Sequence, residues 1–489
     1  MNKPIRYLAV ACFCLFAALM VNANVVQVVQ ASGLNDRNGN KRVIDAEFSR
    51  DRGAILVEGE PVAESVPSDD QFRFQRRYPQ AELYAPVTGY FSYTYGRRNL
   101  ELSQNRVLSG SDNRLFVNRV VDLLANKQPK GGSVELTLDA QAQKVAASGL
   151  QALGEDTKGA VVALDPTTGA ILANVSQPSY DPNRLASHDF SSVTEAMESL
   201  EADEDDPLIN RGTQQILPPG STFKLVTAAA AIDKLGLRPD DDVVGGRTLS
   251  FPGIEYELVN ENGSNCGGDK ITFRRALEVS CNVSFGDLAG KLGQDDLAEQ
   301  ARRFGFGTDA LEDLASNASR FTSDETDLEA PQLAQSGIGQ FEVAATPLQM
   351  AMVAAGIAND GVVMKPYVVE TVTSPSLKVL ERSEPEELSQ AMTSADAATL
   401  RSMMVSTVES GTASSARIAG VDVGAKTGTA QSTQDRPPYA WFVAMAPADD
   451  PQVAVAVVVE SSNTARDEIA GGRLAGPIAR SVIEAVLGE

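Results

Sequence analysis

The sequence predicts an α+β fold: an antiparallel sheet flanked by helices, standing on a smaller N-terminal pedestal and preceded by an apolar membrane segment. Three observations carry this expectation. Two pairs of near-continuous apolar runs each close on a Pro-containing turn, at 159–175 and 440–459. Helical segments lie between the pairs, at 221–235, 342–357 and 394–409. An uncharged stretch, Tyr7–Val29, follows Lys3 and Arg6 at the N-terminus.

A helix that crosses a bilayer needs about 20 mostly apolar residues. Tyr7–Val21 is the densest part, free of Gly and Pro, while Asn22, Asn24 and Gln27 interrupt the second half. Lys3 and Arg6 place the N-terminal end in the cytoplasm and the rest outside. A cleaved leader would look similar, but no clean small-x-small site comes after the apolar core. Residues 1–24 therefore read as a cytoplasmic tip and a single-pass signal-anchor, with the bulk of the chain extracytoplasmic. Of four cysteines, Cys12 and Cys14 lie in the apolar segment and Cys266 and Cys281 in the exported part. In an oxidising compartment the latter admit one pairing, Cys266–Cys281; the alternative is two buried thiols.

Residues 25–150 form the expected pedestal. They hold a charged loop (Asp36 to Arg42), a strand start at Asp51–Leu56, and the alternating aromatic run Gly89–Gly96, which reads as a strand. Gln128-Pro129-Lys130-Gly131-Gly132 punctuates the end, and Ala140–Leu153 reads as a helix leading into residues 151–489. There, Gly159–Leu164 and Ala170–Val175 flank the turn Asp165–Gly169, and Ala440–Met445 and Gln452–Val459 flank Pro447–Pro451. Their apolar continuity implies a sheet buried on both faces. Pro477–Leu487 reads as a helix packed on that sheet. The acidic stretch 192–206 reads as a solvated loop.

Composition excludes several function classes. A formal charge of −23 over 489 residues argues against a nucleic-acid partner, which needs a basic surface. The chain has one histidine, His188, so no multi-His metal centre can form. A Ser-His-Asp triad would have to use His188, which comes after a polar stretch and reads as a surface-loop residue. Any base for acyl transfer is then expected among Lys, Glu and Asp.

Pro218-Pro219-Gly220-Ser221-Thr222-Phe223-Lys224 supplies such a pair. Two prolines and a glycine end an extended segment, Ser221 opens a helix, and Thr222–Leu235 is apolar nearly all round, hence buried. Gly236 stops it. Ser221 then sits at a helix tip whose free N–H groups favour negative charge. Lys224 lies one turn on, on the same face. Burial beside that helix would lower its pKa and leave a neutral amine able to take the Ser221 proton. Two further elements lie downstream: Ser280-Cys281-Asn282, 59 residues beyond Ser221, and Lys426-Thr427-Gly428-Thr429, 146 residues beyond Ser280. The second is preceded by Val421–Ala425, which reads as a strand. A side chain at Gly428 would block a ligand from that strand.

The set S-x-x-K, S-x-N, K-T-G in this order marks β-lactamases and penicillin-binding proteins. With the anchor, Arg52-Gly53, Leu208–Arg211, Gly337–Gln340 and Thr346–Met350, the chain resembles the class B penicillin-binding proteins, and among them the actinobacterial ones, over most of its length. The resemblance implies a penicilloyl-serine transferase (β-lactamase-like) fold for 151–489 and D,D-transpeptidation of peptidoglycan stem pentapeptides, without cofactor or metal. It implies Ser221 as nucleophile, Lys224 as base, Ser280 and Lys426 as proton relay to the leaving amine, and Asn282 as a peptide contact that orients Lys224. Thr427 and Thr429, beside Lys426 and Gly428, would hold the terminal carboxylate, and the backbone N–H groups of Ser221 and Thr429 the oxyanion. β-Lactams would acylate the same serine. A membrane glycosyltransferase and division or elongation proteins are the implied partners. A carboxypeptidase, a β-lactamase and a non-catalytic β-lactam sensor stay open as other readings of the same motifs.

Overall fold

The computed structural model describes residues 3–30, 34, 41–115, 130–322, 327–431 and 437–488. The charged stretch 36–40 and the Gln128-Pro129 end of the punctuation lie outside the described residues. The chain runs through α1 (Lys3–Asn24), β1 (Ile55–Val57), β2 (Glu60–Pro67), β3 (Phe74–Arg77), β4 (Ser133–Leu136) and α2 (Ala140–Gln151). It continues through β5 (Lys158–Leu164), β6 (Ile171–Gln177), α3 (Phe190–Glu201), α4 (Lys224–Leu235), α5 (Asn282–Arg303) and α6 (Pro347–Ala358). It ends with β7 (Val369–Thr373), β8 (Val379–Arg382), α7 (Ser394–Ser410), β9 (Gly424–Ala430), β10 (Tyr439–Ala446), β11 (Val453–Ser461) and α8 (Gly471–Leu487).

α1 and the residues after it, Lys3–Gln27, are long and apolar enough to cross a membrane, and none of this segment is buried in the protein. The two hairpins build one five-stranded, wholly antiparallel sheet in the order β9-β10-β11-β5-β6. Successive strand residues point to opposite faces. Ala160, Val162, Trp441, Val443, Ala456 and Val458 face the core that holds α4 and α6. Their neighbours Val161, Ala163, Phe442, Ala444, Val455 and Val457 face α2 and α8. Both faces are thus covered by helices, which is why the strands carry no polar alternation.

A second sheet, β8-β7-β4-β1-β2-β3, is mixed, since β1 pairs parallel with β4 and the other pairs are antiparallel. Its strands β7 and β8 come from 369–382, so a boundary at residue 150 divides the sequence but not this sheet. Beside it lies a buried ionic knot. Glu101 accepts from Arg52 Nε and Arg76 Nε, both at 2.6 Å, and from Tyr78 Oη at 3.1 Å. Arg52 also donates to Asn105 Oδ1 at 2.7 Å and to the Glu101 carbonyl at 2.8 Å.

Several sequence expectations are corrected. Lys41 and Arg42 begin a short helix, Lys41–Phe48, and not a loop. The aromatic run 89–96 is no single strand: Phe91–Ser92 and Gly96–Arg97 pair as a miniature hairpin. Phe91 and Tyr93 cluster with Phe48, Phe72 and Phe190, whereas Tyr90 and Tyr95 pack in a separate cluster with Tyr180. The first part of the acidic stretch is α3, capped by Asp189 accepting from the Ser191 and Ser192 N–H groups and burying Val193, Ala196 and Met197. α6 starts at Pro347, not at 342, because Thr346 caps it through the Gln349 N–H (3.1 Å). α8 starts at Gly471 and carries Pro477 in its interior. A Cβ on Gly471 would lie 2.0 Å from the Trp441 carbonyl oxygen and 2.5 Å from that of Gly428, so only glycine lets this helix begin against the sheet. His188 lies in a loop, but its ring packs 4.9 Å from that of Phe72 and Nδ1 pairs with Asp70.

Candidate active site

Ser221 stands on a 3₁₀ turn, Gly220–Phe223, that precedes α4, and not on the first turn of the α-helix itself. In a 3₁₀ turn residues i and i+3 eclipse. The tighter winding therefore stacks Ser221 and Lys224 along one edge. The turn requires Gly220 at φ +53°, and its N–H donates to the Gly339 carbonyl at 2.9 Å. A Cβ on Gly339 would fall 2.2 Å from the Gly220 carbonyl oxygen. Thr222 Oγ1 donates to the Pro219 carbonyl and Thr227 Oγ1 to that of Gly337, both at 2.7 Å. The Gly337–Gln340 loop thus braces the turn from beneath. Ser221 is part-exposed, and its hydroxyl makes no hydrogen bond among the described residues.

Lys224 is fully buried, and its amine contacts the Ser280 carbonyl at 2.7 Å, Asn282 Oδ1 at 2.7 Å and Ser280 Oγ at 3.3 Å. Burial drives its pKa well below the ordinary lysine value, and the nearby Lys426 cation lowers it further. A neutral amine has two N–H donors and one lone pair. The two carbonyl oxygens accept only, so they take both protons and leave the lone pair for a hydroxyl. Lys426 is also fully buried and donates to Ser280 Oγ and to the Thr427 carbonyl, both at 2.8 Å. Desolvation lowers its pKa to about 7, against the opposing pull of Glu261. One hydroxyl, Ser280 Oγ, therefore joins both amines. Ser280 holds a left-handed backbone, φ +58°, uncommon outside glycine.

Asn282 opens α5 and donates from Nδ2 to the Val259 carbonyl at 3.0 Å. Asn260 Oδ1 accepts from the Val283 N–H at 3.0 Å, and Cys266 is disulfide-bonded to Cys281, with Cα atoms 5.8 Å apart. The arm 254–266 is thereby fastened to the S-x-N loop at three points. Lys426–Thr429 lies inside β9, the outermost strand of the sheet, and not beyond a strand at 421–425. Thr429 is part-exposed, and residues 429 and 430 lie directly against Gly220. Thr427 is 9% exposed, and its hydroxyl meets that of Thr412 at 2.8 Å. The reason expected for Gly428 is corrected. A Cβ there would lie 2.9 Å from Thr222 Cγ2 and from Trp441 Cβ, and 3.0 Å from the Pro219 carbonyl oxygen. The space is filled by the turn that carries Ser221 and by Trp441.

The structure thus brings Ser221, Lys224, Ser280, Asn282, Lys426, Thr427 and Thr429 together in one region. His188 is apart from it, on the pedestal side. Sequence reasoning missed Asn260, Glu261 and Thr412, which carry no motif, and gave Thr227 no role. Gly339 lay in a quoted segment, but its bracing contact was not foreseen.

Comparison with known proteins places this geometry in a family. Residues 159–484 match the penicillin-binding protein transpeptidase domain, and residues 52–134 the penicillin-binding protein A dimerisation domain. The chain is 42% identical over 494 residues to a peptidoglycan D,D-transpeptidase, PbpA, of Mycolicibacterium smegmatis, covering 100% of both chains. It is 40% identical over 492 residues to the protein of that name from Mycobacterium tuberculosis, covering 100% of this chain and 99% of the relative. The ceftriaxone acyl-enzyme complex of M. tuberculosis penicillin-binding protein A superposes with a TM-score of 0.86 at 39% identity, over 91% of this chain and 100% of that one. The penicillin G acyl-enzyme complex gives 0.84 at 39% identity, over 90% and 100%. With the family's transpeptidase domain spanning most of its length, the chain belongs to the penicillin-binding protein transpeptidases.

Proposed function

We propose that the chain is a peptidoglycan D,D-transpeptidase that works through an acyl-enzyme on Ser221. One observation carries the reading: a buried, desolvated amine, Lys224, sits one 3₁₀ turn from a free serine hydroxyl and shares Ser280 Oγ with a second buried amine. Ser221 Oγ bonds to the carbonyl carbon of the penultimate D-alanine as its proton passes to the Lys224 lone pair. The carbonyl electron pair moves onto oxygen, facing the backbone N–H groups of Ser221 and Thr429. Preorganised donors of this kind are each worth about 10²–10³ in rate. As the intermediate collapses, the C–N bond breaks and the terminal D-alanine leaves. Its amine takes the Ser280 proton, which is restored from Lys224, with Lys426 holding the other side of the same oxygen. An amine of a neighbouring stem peptide then attacks the ester, and the same steps run in reverse to form the cross-link. Lys426, Thr427 and Thr429 hold the donor's terminal carboxylate, and Asn282 orients Lys224 and the donor peptide. A β-lactam enters as a mimic of the donor and leaves a stable acyl-enzyme.

The substrate fixes the topology. Stem peptides are cross-linked outside the cytoplasmic membrane, so α1 holds the catalytic part there. Lys3 and Arg6 on its N-terminal flank support that orientation. The polymerised glycan comes from a membrane glycosyltransferase working with division or elongation proteins.

Ser221→Ala is expected to fold with an unchanged far-UV spectrum and to lose all labelling by fluorescent penicillin. Given polymerised lipid-linked precursor, the native chain is expected to yield dimeric muropeptides. Persistent labelling of the variant would remove Ser221 from the mechanism. Free D-alanine without dimers would make the enzyme a carboxypeptidase.

A further inference from the structure

Beside the K-T-G strand lies a hydroxyl that the mechanism above does not use. Thr412 comes just after α7 and is exposed, with Oγ1 2.8 Å from Thr427 Oγ1. Its position is fixed from behind. The Thr412 N–H donates to the Glu278 carbonyl at 3.1 Å, two residues before Ser280. A Cβ on Gly411 would fall 2.5 Å from that same Glu278 oxygen. On the far side, a Cβ on Gly472 would fall 2.9 Å from the Thr412 carbonyl oxygen and 3.4 Å from Thr427 Cγ2. Residues 411 and 412 are thus wedged between the segment that carries Ser280 and the strand that carries Thr427.

Two hydroxyls at hydrogen-bond distance share one proton, and either oxygen can be the donor. A carboxylate removes that freedom because it only accepts. Once it binds, the single Thr427 proton must point to it, and the Thr412 proton must turn to the Thr427 lone pair. A hydroxyl that accepts a hydrogen bond is the stronger donor in the next one. We propose that Thr412 is a positioning residue: it donates to Thr427 Oγ1, aims the Thr427 proton at the terminal carboxylate of the donor, and so makes the enzyme selective for a free carboxyl end. The inference rests on the reading that Thr427 holds that carboxylate.

The test compares donors that differ only at the C-terminus: a stem pentapeptide ending in free D-alanine and the same peptide ending in D-alaninamide. Thr412→Val removes the hydroxyl and keeps the shape, and Thr412→Ser restores the hydroxyl. The hydrogen bond lost in Thr412→Val joins two neutral hydroxyls and reaches the carboxylate only through Thr427, and solvent competes at this exposed position. Thr412→Val is therefore expected to raise KM for the carboxylate donor severalfold, with kcat nearly unchanged, and to shift KM for the amide donor less than twofold. Second-order acylation by penicillin, which bears a carboxylate, should fall by a similar factor. Thr412→Ser should recover most of both losses. If Thr412→Val folds poorly, Thr412→Ala asks the same question, and its carboxylate-to-amide KM ratio is independent of the active fraction. Equal losses on both donors, or no rescue by serine, would overturn the inference. Thr427→Val separates it from the reading beneath. If that substitution costs the carboxylate and amide donors equally, the carboxylate is not held by Thr427 and the reading of the site falls. If Thr427→Val selectively harms the carboxylate donor and Thr412→Val harms both donors equally, only the role of Thr412 is lost.

Discussion

The two motif lysines share a hydroxyl but are asked to do opposite things. In the proposed mechanism Lys224 must be neutral to accept a proton, and Lys426 is most useful as a cation facing a carboxylate. Both are desolvated, and the structure separates them by contact. Lys224 faces two carbonyl oxygens and an adjacent cation that disfavours its charge, whereas Lys426 titrates near 7. Acylation rises with pH as Lys224 deprotonates and falls as Lys426 loses its charge, so the free enzyme should show a bell with its alkaline limb beginning near 7. A bound carboxylate favours the cation and moves that limb upward, so the limb of kcat should lie at higher pH than that of kcat/KM. Penicillin acylation tracked from about pH 5 to about pH 10 tests this. Lys426→Arg, which stays charged throughout, should lower the rate but abolish the alkaline limb. A limb that persists unchanged in the variant belongs to another group. At this scale the sequence carried most of the site, because Ser221, Lys224, Ser280, Asn282 and Lys426 fall in short motifs of fixed spacing. Thr412 was illegible, since only the fold brings it to Thr427. Lys224 was placed on the correct turn and Asn282, 58 residues away, was expected beside it from the resemblance, but its contact with the Ser280 carbonyl, 56 residues away, was not foreseen.

Among the elements, those with a single dominant signal were readable from sequence and those built on two were not. The four hairpin strands and α4 are continuous apolar runs, and burial on all sides is the one arrangement that accommodates them. α3 was hidden because acidic residues fill its exposed face while Val193, Ala196 and Met197, three and four residues apart, face inward. α8 was shortened because a proline was taken for its start, when the two glycines at 471 and 472 let its first turn press against the sheet. β9 shows how an element can be placed in outline and misread in purpose. Gly428 is short of room on the side of Thr222 and Pro219, so the strand and the Ser221 turn are packed against each other. Gly428→Ala must separate them by several tenths of an ångström. Overpacking of this kind costs about 1–3 kcal/mol. The variant should melt earlier and be acylated by penicillin at least tenfold more slowly, because Thr429 moves with the strand while Ser221 stays with the turn. A variant that melts earlier but acylates at the native rate would show that this contact serves stability alone.

Over the whole molecule, the pedestal and the catalytic part are joined by more than a linker. β7 and β8 cross into the six-stranded sheet, and the Arg52–Glu101–Arg76 knot lies beside that sheet's other strands. This connection was not legible from a boundary drawn at residue 150, because the returning strands are short and polar residues occupy more than half of their positions. Burial opposes the Glu101 charge, but the two guanidinium groups outweigh it and hold the carboxyl below its usual range. Glu101→Gln keeps the shape and removes the charge, leaving two buried cations unpaired. Breaking a buried pair in this way costs about 3–5 kcal/mol. The consequence for the catalytic part can be read directly, because the one tryptophan, Trp441, is fully buried in β10, far along the chain from residue 101. If β7 and β8 make the two parts one cooperative unit, Trp441 fluorescence and far-UV circular dichroism should report a single transition, moved down by several degrees in the variant. If the pedestal melts by itself, circular dichroism should show an early partial transition while the Trp441 signal stays at its native midpoint. We expect the first outcome, since losing the pedestal sheet would strip β7 of its partner β4 and leave that edge of the catalytic part unpaired.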